Sequence, residues 1–316
     1  MPSSKNKSLK IHKSKSKKNP KRHLVHLFVL PALLFYVIFA IYPILDAFAS
    51  SLFSFNGYVR DEFVGLENFS RLFKEHPFNT RFVGALKHNV IFLVLTFIFQ
   101  LAVSLFLAIL VNSVSKGKEA FKVIFFIPKL LAVVVVGFLF NLILNPNTGA
   151  LNTFLDKLGL DFLAQSWLGD TKFALISIIM VNSWLGIGFF MLIFLAGLQA
   201  INPEIQESAK LDGASSFTML RKITIPMILP SIMIVSILAI IQSFEQFDLI
   251  YAMQGSAGGP YYSTDVLATY FYRLAFGEGS GGSLGLGAAV AVILFIIVAS
   301  VSAISLFAFR RKEIDY

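Results

Sequence analysis

Six long apolar segments alternate with polar loops along the chain. Each segment runs for 22–26 residues, and an α-helix needs about 20 apolar residues to cross the hydrocarbon of a bilayer. Apolar runs of this length are too long for the strands of a membrane barrel. The pattern predicts an all-α integral membrane protein with six transmembrane helices, at residues 24–48, 90–111, 123–144, 173–198, 228–250 and 284–309.

The composition supports a membrane location. Of the 316 residues, 56% are hydrophobic and 14% are charged, whereas soluble domains average about 45–50% and about 25%. The mean hydropathy is +0.74. So few charges could not cover so much apolar surface in water, and the lipid bilayer is therefore the expected solvent.

The basic charge is concentrated at the N-terminus. The net charge is +9, and residues 1–23 hold nine Lys and Arg and no acidic residue. The rest of the chain has 18 residues of each sign and no basic stripe that could follow phosphates, which argues against nucleic-acid binding. Segment 1–23 is predicted to be a disordered basic tail on the cytoplasmic side.

Loop charge predicts the orientation. Segments 1–23, 112–122, 199–227 and 310–316 together carry 18 Lys and Arg in 70 residues. The loops on the opposite side carry eight in 102 residues; they are 49–89, 145–172 and 251–283. By the positive-inside rule both termini face the cytoplasm, in a multi-pass protein of the cell membrane. We expect short interfacial helices in 49–89. In 251–283 we expect a turn at 258–260 and then an aromatic helix.

Catalytic motifs are absent from the sequence. The glycines Gly277, Gly279 and Gly282 match the G-x-G-x-x-G spacing, but the strand and the acidic residue of a dinucleotide site are missing. There is no phosphate-binding P-loop, no cysteine, and no metal-ligand spacing among the five histidines. We therefore expect a protein that is not an enzyme and holds no cofactor or metal.

The loop 199–227 has the signals of two capped helices. Asn202 is a good N-cap, Pro203 suits the first helical position, Glu204 complements the helix dipole and Gly213 suits the position after the helix. A helix is predicted over 203–212, and a second from Ser215 to just before Pro226. Two capped helices in a loop on this face indicate a docking surface.

Residues of this loop resemble a family signature. Glu207-Ser208-Ala209, Gly213 and Ile223-Thr224-Ile225-Pro226 are similar to E-A-A-x₃-G-x₉-I-x-L-P of the membrane subunits of binding-protein-dependent ABC importers, with Ser208 and Ile225 as conservative departures. Further segments resemble the carbohydrate-importing branch: Gly65-Leu66-Glu67-Asn68-Phe69, Phe126-Ile127-Pro128, Trp184, Asp212-Gly213-Ala214 and Gly258-Gly259-Pro260.

The resemblance implies a type I importer permease that moves a sugar by alternating access. The implied partners are a second homologous permease, two cytoplasmic ATPase subunits that bind ATP and Mg, and an external solute-binding protein. Helix 203–212 would be the coupling helix. The residues implied for coupling to the ATPase are Glu204, Glu207, Ser208, Ala209, Asp212, Gly213 and Pro226.

Polar residues inside two apolar segments are the candidate substrate contacts. Gln242, Glu245 and Gln246 fit one face of a helix, and amides beside aromatic rings suit a sugar. The family resemblance implies contacts at positions matching Gly186, Phe189, Gln242, Ser243 and Gln246. Packing within the bundle or against the partner permease is the alternative for these positions, and also for Glu245 and Asp248. Lys129 is expected to snorkel to lipid headgroups.

Two other functions remain open from the sequence. An ion-coupled secondary transporter could use Glu245 and Asp248, although no inverted repeats or broken helix pairs are evident. An ABC importer could also carry a non-sugar solute such as glycerol-phosphate. The sequence does not distinguish a neutral from an acidic sugar.

Overall fold

The computed structural model describes residues 22–277 and 283–310, and their regular secondary structure is helical except for one β-hairpin. The α-helices are α1 (Arg22–Tyr36), α2 (Tyr42–Ser50), α3 (Glu67–Lys74), α4 (Phe78–Thr96), α5 (Val103–Ser113), α6 (Lys118–Phe126), α7 (Val133–Ile143), α8 (Ala150–Lys157), α9 (Ala174–Gln199), α10 (Pro203–Leu211), α11 (Ser216–Met219), α12 (Ile225–Met227), α13 (Leu229–Phe244), α14 (Asp248–Gln254), α15 (Leu267–Phe276) and α16 (Leu284–Arg310). The π-helical segments are Val37–Ile41, Phe97–Ala102 and Leu220–Thr224, and the 3₁₀ turns are Ile127–Leu130, Asp161–Leu163 and Pro260–Tyr262.

Four continuous helical segments among the described residues are long and apolar enough to cross a membrane. They are Phe28–Ser50, Phe78–Ser113, Ala174–Gln199 and Leu284–Ala308. Two further candidates are pairs of helices with a sharp bend, which raises the number of spans to as many as six. The segment Phe28–Ser50 exposes nearly all its described side chains, as expected of a helix in lipid. Among the described residues, those up to Asp46 and those from Ala47 onward form separate compact units.

The two bent pairs differ from the straight spans that hydropathy predicted. The segment predicted at 123–144 is broken between Leu130 and Val133, with 91° between its two halves. The 68° bend near Ile228 falls at the predicted start of segment 228–250, and the difference there is that its helix α13 ends at Phe244. Pro226 was predicted to follow the second loop helix; instead it lies within α12, which extends that helix to Met227. Hydropathy measures apolar length and carries no information about such bends.

The segment after α2 forms a hairpin that the sequence did not predict. Strands β1 (Phe53–Asn56) and β2 (Val59–Phe63) pair in antiparallel fashion. The Asn68 side chain donates to the carbonyls of Ser51 and Phe53 at 2.9 Å each, which fixes α3 beside the hairpin. Of the short helices predicted in 49–89, one forms as α3.

The loop between α14 and α16 has the predicted turn and helix. Gly258 and Gly259 both have positive φ, and the aromatic helix is α15. The buried carboxylate of Asp265 holds this helix: it pairs with Arg273 and accepts from Thr269 Oγ1 at 2.7 Å. The Asp265 carbonyl lies 2.7 Å from the His88 ring, which connects the loop to α4. These bonds set the position of the aromatic residues of α15.

Helix α9 is the central helix of the unit from Ala47 onward. Fifteen of its 26 residues are buried. Its first half packs in a core with α7 and α14, and its second half packs in another with α5 and α13. Residues near the middle of α9 therefore lie where several spans meet.

Some predictions concern parts of the chain outside the described residues. They are most of the basic tail 1–23, most of the C-terminal segment 310–316, and Gly279 and Gly282 of the glycine motif.

Candidate functional site

A small polar cavity lies where the middle of α9 meets the ends of the two broken spans. Its volume is about 200 Å³. The lining residues are Gln100, Lys129, Val133, Asn182, Leu185, Gly186, Gln242, Glu245, Gln246, Phe247, Asp248 and Leu249. Non-helical backbone at membrane depth is tolerated where it lines a cavity, and broken helices are typical of transporter binding sites. The cavity is the candidate substrate site.

Five sequence-predicted residues meet at this cavity: Gly186, Gln242, Glu245, Gln246 and Asp248. They come together for a different reason from the one predicted. Only Gln242 belongs to α13, Glu245 is the residue that caps its end, and Gln246 lies beyond it. The three residues therefore do not share a helical face, and the turn of the chain after Phe244 brings them to the same cavity.

Two other predicted contacts lie outside the lining. The Ser243 side chain is buried, and its hydroxyl donates to the Ala239 carbonyl at 2.7 Å, which gives it a packing role within α13. Phe189 packs beside the second core of α9, 5.9 Å from the ring of Phe190. Neither residue contacts the cavity in this conformation.

Three amides of the cavity lining form a chain, and two of them, Gln100 and Asn182, were not among the predicted residues. Gln246 Nε2 donates to Asn182 Oδ1 at 3.1 Å, and Asn182 Nδ2 lies 3.5 Å from Gln100 Oε1. Gln100 is 1% exposed, and its Nε2 has no hydrogen-bond partner among the described residues. It projects from the π-helical segment Phe97–Ala102, and such segments are frequent at functional sites. A lone amide in an apolar segment was the available signal.

Lys129, which the sequence predicts to snorkel to lipid headgroups, also lines the cavity. It sits in the 3₁₀ turn just before the 91° bend, and its Nζ lies 6.0 Å from the centre of the Phe189 ring. The bend directs this turn toward α9, which a straight span would not do. The cavity thus combines one ammonium group with the carboxylates of Glu245 and Asp248.

The predicted loop helix forms as α10, and its caps are those expected. The Asn202 side chain accepts from the Glu204 amide at 3.1 Å. At the other end the Gly213 amide donates to Lys210 and the Ala214 amide donates to Ala209, in a Schellman motif with Gly213 at φ +79°. Ser215 caps the next helix by accepting from the Thr218 amide at 3.2 Å.

The surface of α10 is open to solvent. The predicted coupling residues Glu204, Glu207, Ser208 and Asp212 are exposed, and Ala209 and Pro226, which lies in α12, are partly buried. Two large apolar residues that were not among those predicted are also exposed: Leu211 is 89% exposed and Phe217 is 70% exposed. Both apolar side chains are therefore available for contact with a partner protein.

Comparison with protein families gives a match to the binding-protein-dependent transport system inner membrane component over residues 100–313. The matched region contains α10, the broken spans and every residue that lines the polar cavity.

Among individual proteins, a probable ABC transporter permease protein of Bacillus subtilis, YurN, is 33% identical to this chain. The alignment covers 82% of this chain and 87% of the relative. The multiple sugar-binding transport system permease protein MsmF of Streptococcus mutans is 31% identical, over 91% of this chain and 95% of the relative. The arabinooligosaccharides transport system permease protein AraP of Bacillus subtilis is 34% identical, over 90% of this chain and 88% of the relative.

The fold matches that of a solved transporter. The structure is a bacterial ABC transporter involved in the import of the acidic polysaccharide alginate, and the TM-score is 0.77 with 27% sequence identity. The superposition covers 92% of this chain and 96% of the matched chain.

Proposed function

This chain belongs to the family of binding-protein-dependent transport system inner membrane components, and on that premise we propose that it is a sugar-importing permease. Membership makes it a membrane-embedded transport subunit of an ABC importer rather than an enzyme. Curated relatives named for sugars support a sugar substrate; they include permeases for multiple sugars, arabinooligosaccharides and lactose.

The proposed assembly has two homologous permeases, two ATPase subunits and an external solute-binding protein. One related solved structure is an alginate ABC transporter in complex with a pentasaccharide-bound periplasmic protein, which supports the last partner. ATP and Mg would be bound by the ATPase subunits, because this sequence has no phosphate-binding loop.

We propose that both termini lie in the cytoplasm, with residues 1–23 and 310–316 as short flanking segments of a transmembrane domain at 24–309. The excess of Lys and Arg on that side supports this orientation. Loop 199–227 would then present α10 to an ATPase subunit. The exposed Glu207 and Leu211 support α10 as the coupling helix, since together they offer a carboxylate and an apolar anchor.

The observation that carries the substrate proposal is the lining of the polar cavity. Its amides can donate to and accept from sugar hydroxyls, and Phe247 offers an aromatic face. The lining holds two carboxylates, Glu245 and Asp248, and one ammonium group, Lys129. Their combined charge would repel a polyanion, and we therefore propose a neutral sugar rather than an acidic one.

Alternating access gives the bent spans a mechanical role in this proposal. Substrate contacts at Gln246 would favour one arrangement of the break after α13, and ATP-driven movement of α10 would favour another. The helical segments from α11 to α13 lie between α10 and this break. They are continuous apart from the bend at Ile228, so they can transmit a displacement of α10 to the break.

The family assignment favours an ABC importer over the ion-coupled transporter that the sequence left open. The structure does remove one reason that had been held against it, because bent helix pairs are present. Its proposed ion ligands, Glu245 and Asp248, fit equally well as sugar contacts at the cavity.

A transport assay tests the substrate proposal. The permease would be reconstituted with its partners in proteoliposomes that contain ATP, and uptake of labelled neutral oligosaccharides would be compared with uptake of uronic-acid oligosaccharides. We expect uptake of a neutral sugar, and Asp248→Asn should weaken it less than Gln246→Leu. Uptake restricted to the uronic-acid sugars would contradict the proposal.

A further inference from the structure

Four aromatic rings form a continuous row next to the polar cavity. The Phe247 ring stacks on Tyr251 with 5.2 Å between centroids and 26° between planes, and it lies 5.0 Å from Tyr272. Tyr272 in turn lies 5.5 Å from Phe276. The pairs 247/251 and 272/276 are each four residues apart, so each pair occupies one side of its helical segment. We call these four residues the aromatic strip.

The aromatic strip is accessible, in contrast to the rings of the cores. Tyr251 is 41% exposed and Phe276 is 48% exposed, and the other two rings are partly exposed. A hydrogen bond with the Tyr251 hydroxyl raises the pKa of Tyr272. The strip therefore presents partly exposed aromatic rings, two of which carry hydroxyl groups.

Two residues of the strip line cavities. Phe247 is part of the lining of the polar cavity. Tyr251, one turn later in α14, is part of the lining of a larger cavity of about 700 Å³. A molecule that extends from the polar cavity along α14 would pass from Phe247 to Tyr251.

The polar cavity is small for an oligosaccharide. Pockets that enclose a drug-sized ligand measure about 300–1,000 Å³, and the polar cavity measures about 200 Å³. An oligosaccharide with its leading unit in this cavity would extend beyond it. A sugar ring has apolar C–H faces that stack on aromatic rings and hydroxyls that accept hydrogen bonds at the edge, which matches the strip.

We propose that the aromatic strip is a stacking surface for a neutral oligosaccharide whose leading unit occupies the polar cavity. The proposal rests on the proposed sugar-import function and adds that the substrate has more than one sugar unit. Each added unit would gain contact with Tyr251, Tyr272 or Phe276.

The test compares substrates of different length in the complete reconstituted transporter. The variants are Tyr272→Leu and Phe276→Leu, which keep an apolar side chain and remove the ring. Phe162→Leu is the matched control, because Phe162 is 71% exposed and outside the strip. Tyr272→Phe keeps the ring. The probes are maltodextrins and arabinooligosaccharides, each as disaccharide and pentasaccharide, supplied with saturating binding protein.

We expect KM for the pentasaccharide to rise about three- to tenfold in Tyr272→Leu and Phe276→Leu, as the loss of an aromatic contact predicts. The disaccharide KM should change by less than about twofold. Phe162→Leu and Tyr272→Phe should behave as the unchanged protein for both lengths.

Three outcomes would overturn the proposal. An equal rise of KM for the disaccharide and the pentasaccharide would show that the rings do not contact the added sugar units. Loss of the second permease from the purified complex would assign the rings to the subunit interface. Uptake of monosaccharides but not of oligosaccharides would show that no oligosaccharide occupies the strip, and the proposed import function would still hold. Failure of the unchanged protein to import any sugar would instead contradict the proposed function itself.

Discussion

Gly186 makes room for Gln100. A Cβ at position 186 would lie 2.0 Å from Gln100 Nε2, and Gln100 is almost completely buried. The glycine that sequence resemblance assigned to substrate contact therefore has a packing reason of its own. It lets the amide of the π-helical segment approach α9 and reach Asn182.

We predict that Gly186→Ala displaces Gln100 and impairs transport. Overpacking a buried site typically costs about 1–3 kcal/mol, so the melting temperature of the purified protein should fall. Because the clash is with one side chain, adding Gln100→Ala should restore the melting temperature. Uptake should stay low in the double variant if the amide chain positions Gln246.

Two other glycines provide the controls. Gly84 in α4 has no atom within 4 Å of a Cβ, so Gly84→Ala should not destabilise the protein. At Gly188 the Cβ would lie 1.8 Å from the Phe125 carbonyl oxygen, which is backbone and cannot rotate away. Gly188→Ala should destabilise the protein, and Gln100→Ala should not rescue it. If Gln100→Ala restored the stability of Gly188→Ala, the explanation of the Gly186→Ala effect by a local clash with Gln100 would be contradicted.

Gln242 and Gln246 should respond differently to replacement by Leu. Gln246→Leu removes the donor to Asn182 and leaves a partly buried acceptor unpaired, at a cost of up to about 1–3 kcal/mol. The Gln242 side chain makes no such bond within residues 22–277 and 283–310, so Gln242→Leu should lower uptake without lowering the melting temperature. Unchanged uptake in both variants would assign these side chains to packing.

Local signals in the sequence were sufficient to predict α10. Its N-cap at Asn202 and its C-terminal Gly213 act on neighbouring backbone groups, and both caps form as predicted. The cavity could be predicted only in part, because it depends on bends at Leu130–Val133 and after Phe244. Those bends are decided by packing between distant segments. The first bend also lies next to Lys129, which lines the cavity.

Substitutions in α10 should separate coupling from substrate binding. Gly213→Val would place a β-branched residue at φ +79°, with a strain of about 1–2 kcal/mol that distorts the helix end. Glu207→Lys reverses an exposed charge. We predict that both proteins remain inserted but release the ATPase subunits or lose sugar-stimulated ATP hydrolysis, as measured by co-purification and hydrolysis in proteoliposomes.

Milder changes at the same positions serve as controls. Asn tolerates left-handed backbone, so Gly213→Asn should keep the ATPase subunits. Leu211→Asp should act like Glu207→Lys, because it removes an apolar side chain that is 89% exposed. Full ATPase content and normal stimulation in Gly213→Val, Glu207→Lys and Leu211→Asp would show that α10 is not the coupling helix.

The orientation of the chain in the membrane can be measured with fused reporter proteins. A reporter after Tyr316 should be active only in the cytoplasm, and one inserted near Leu160 should be active only outside. The asymmetry of Lys and Arg between the two sets of loops is the reason. Activity of both reporters on the same side would contradict an arrangement in which an odd number of spans separates them.

ATP-driven sugar uptake by the complete assembly is the measurement that bears most directly on the function. Proteoliposomes would contain this permease, its homologous partner and the ATPase subunits, with the solute-binding protein outside and ATP inside. We predict uptake of a neutral sugar that requires both ATP and the binding protein and persists without any ion gradient. Uptake that continues without ATP and follows an imposed proton or sodium gradient would contradict the account.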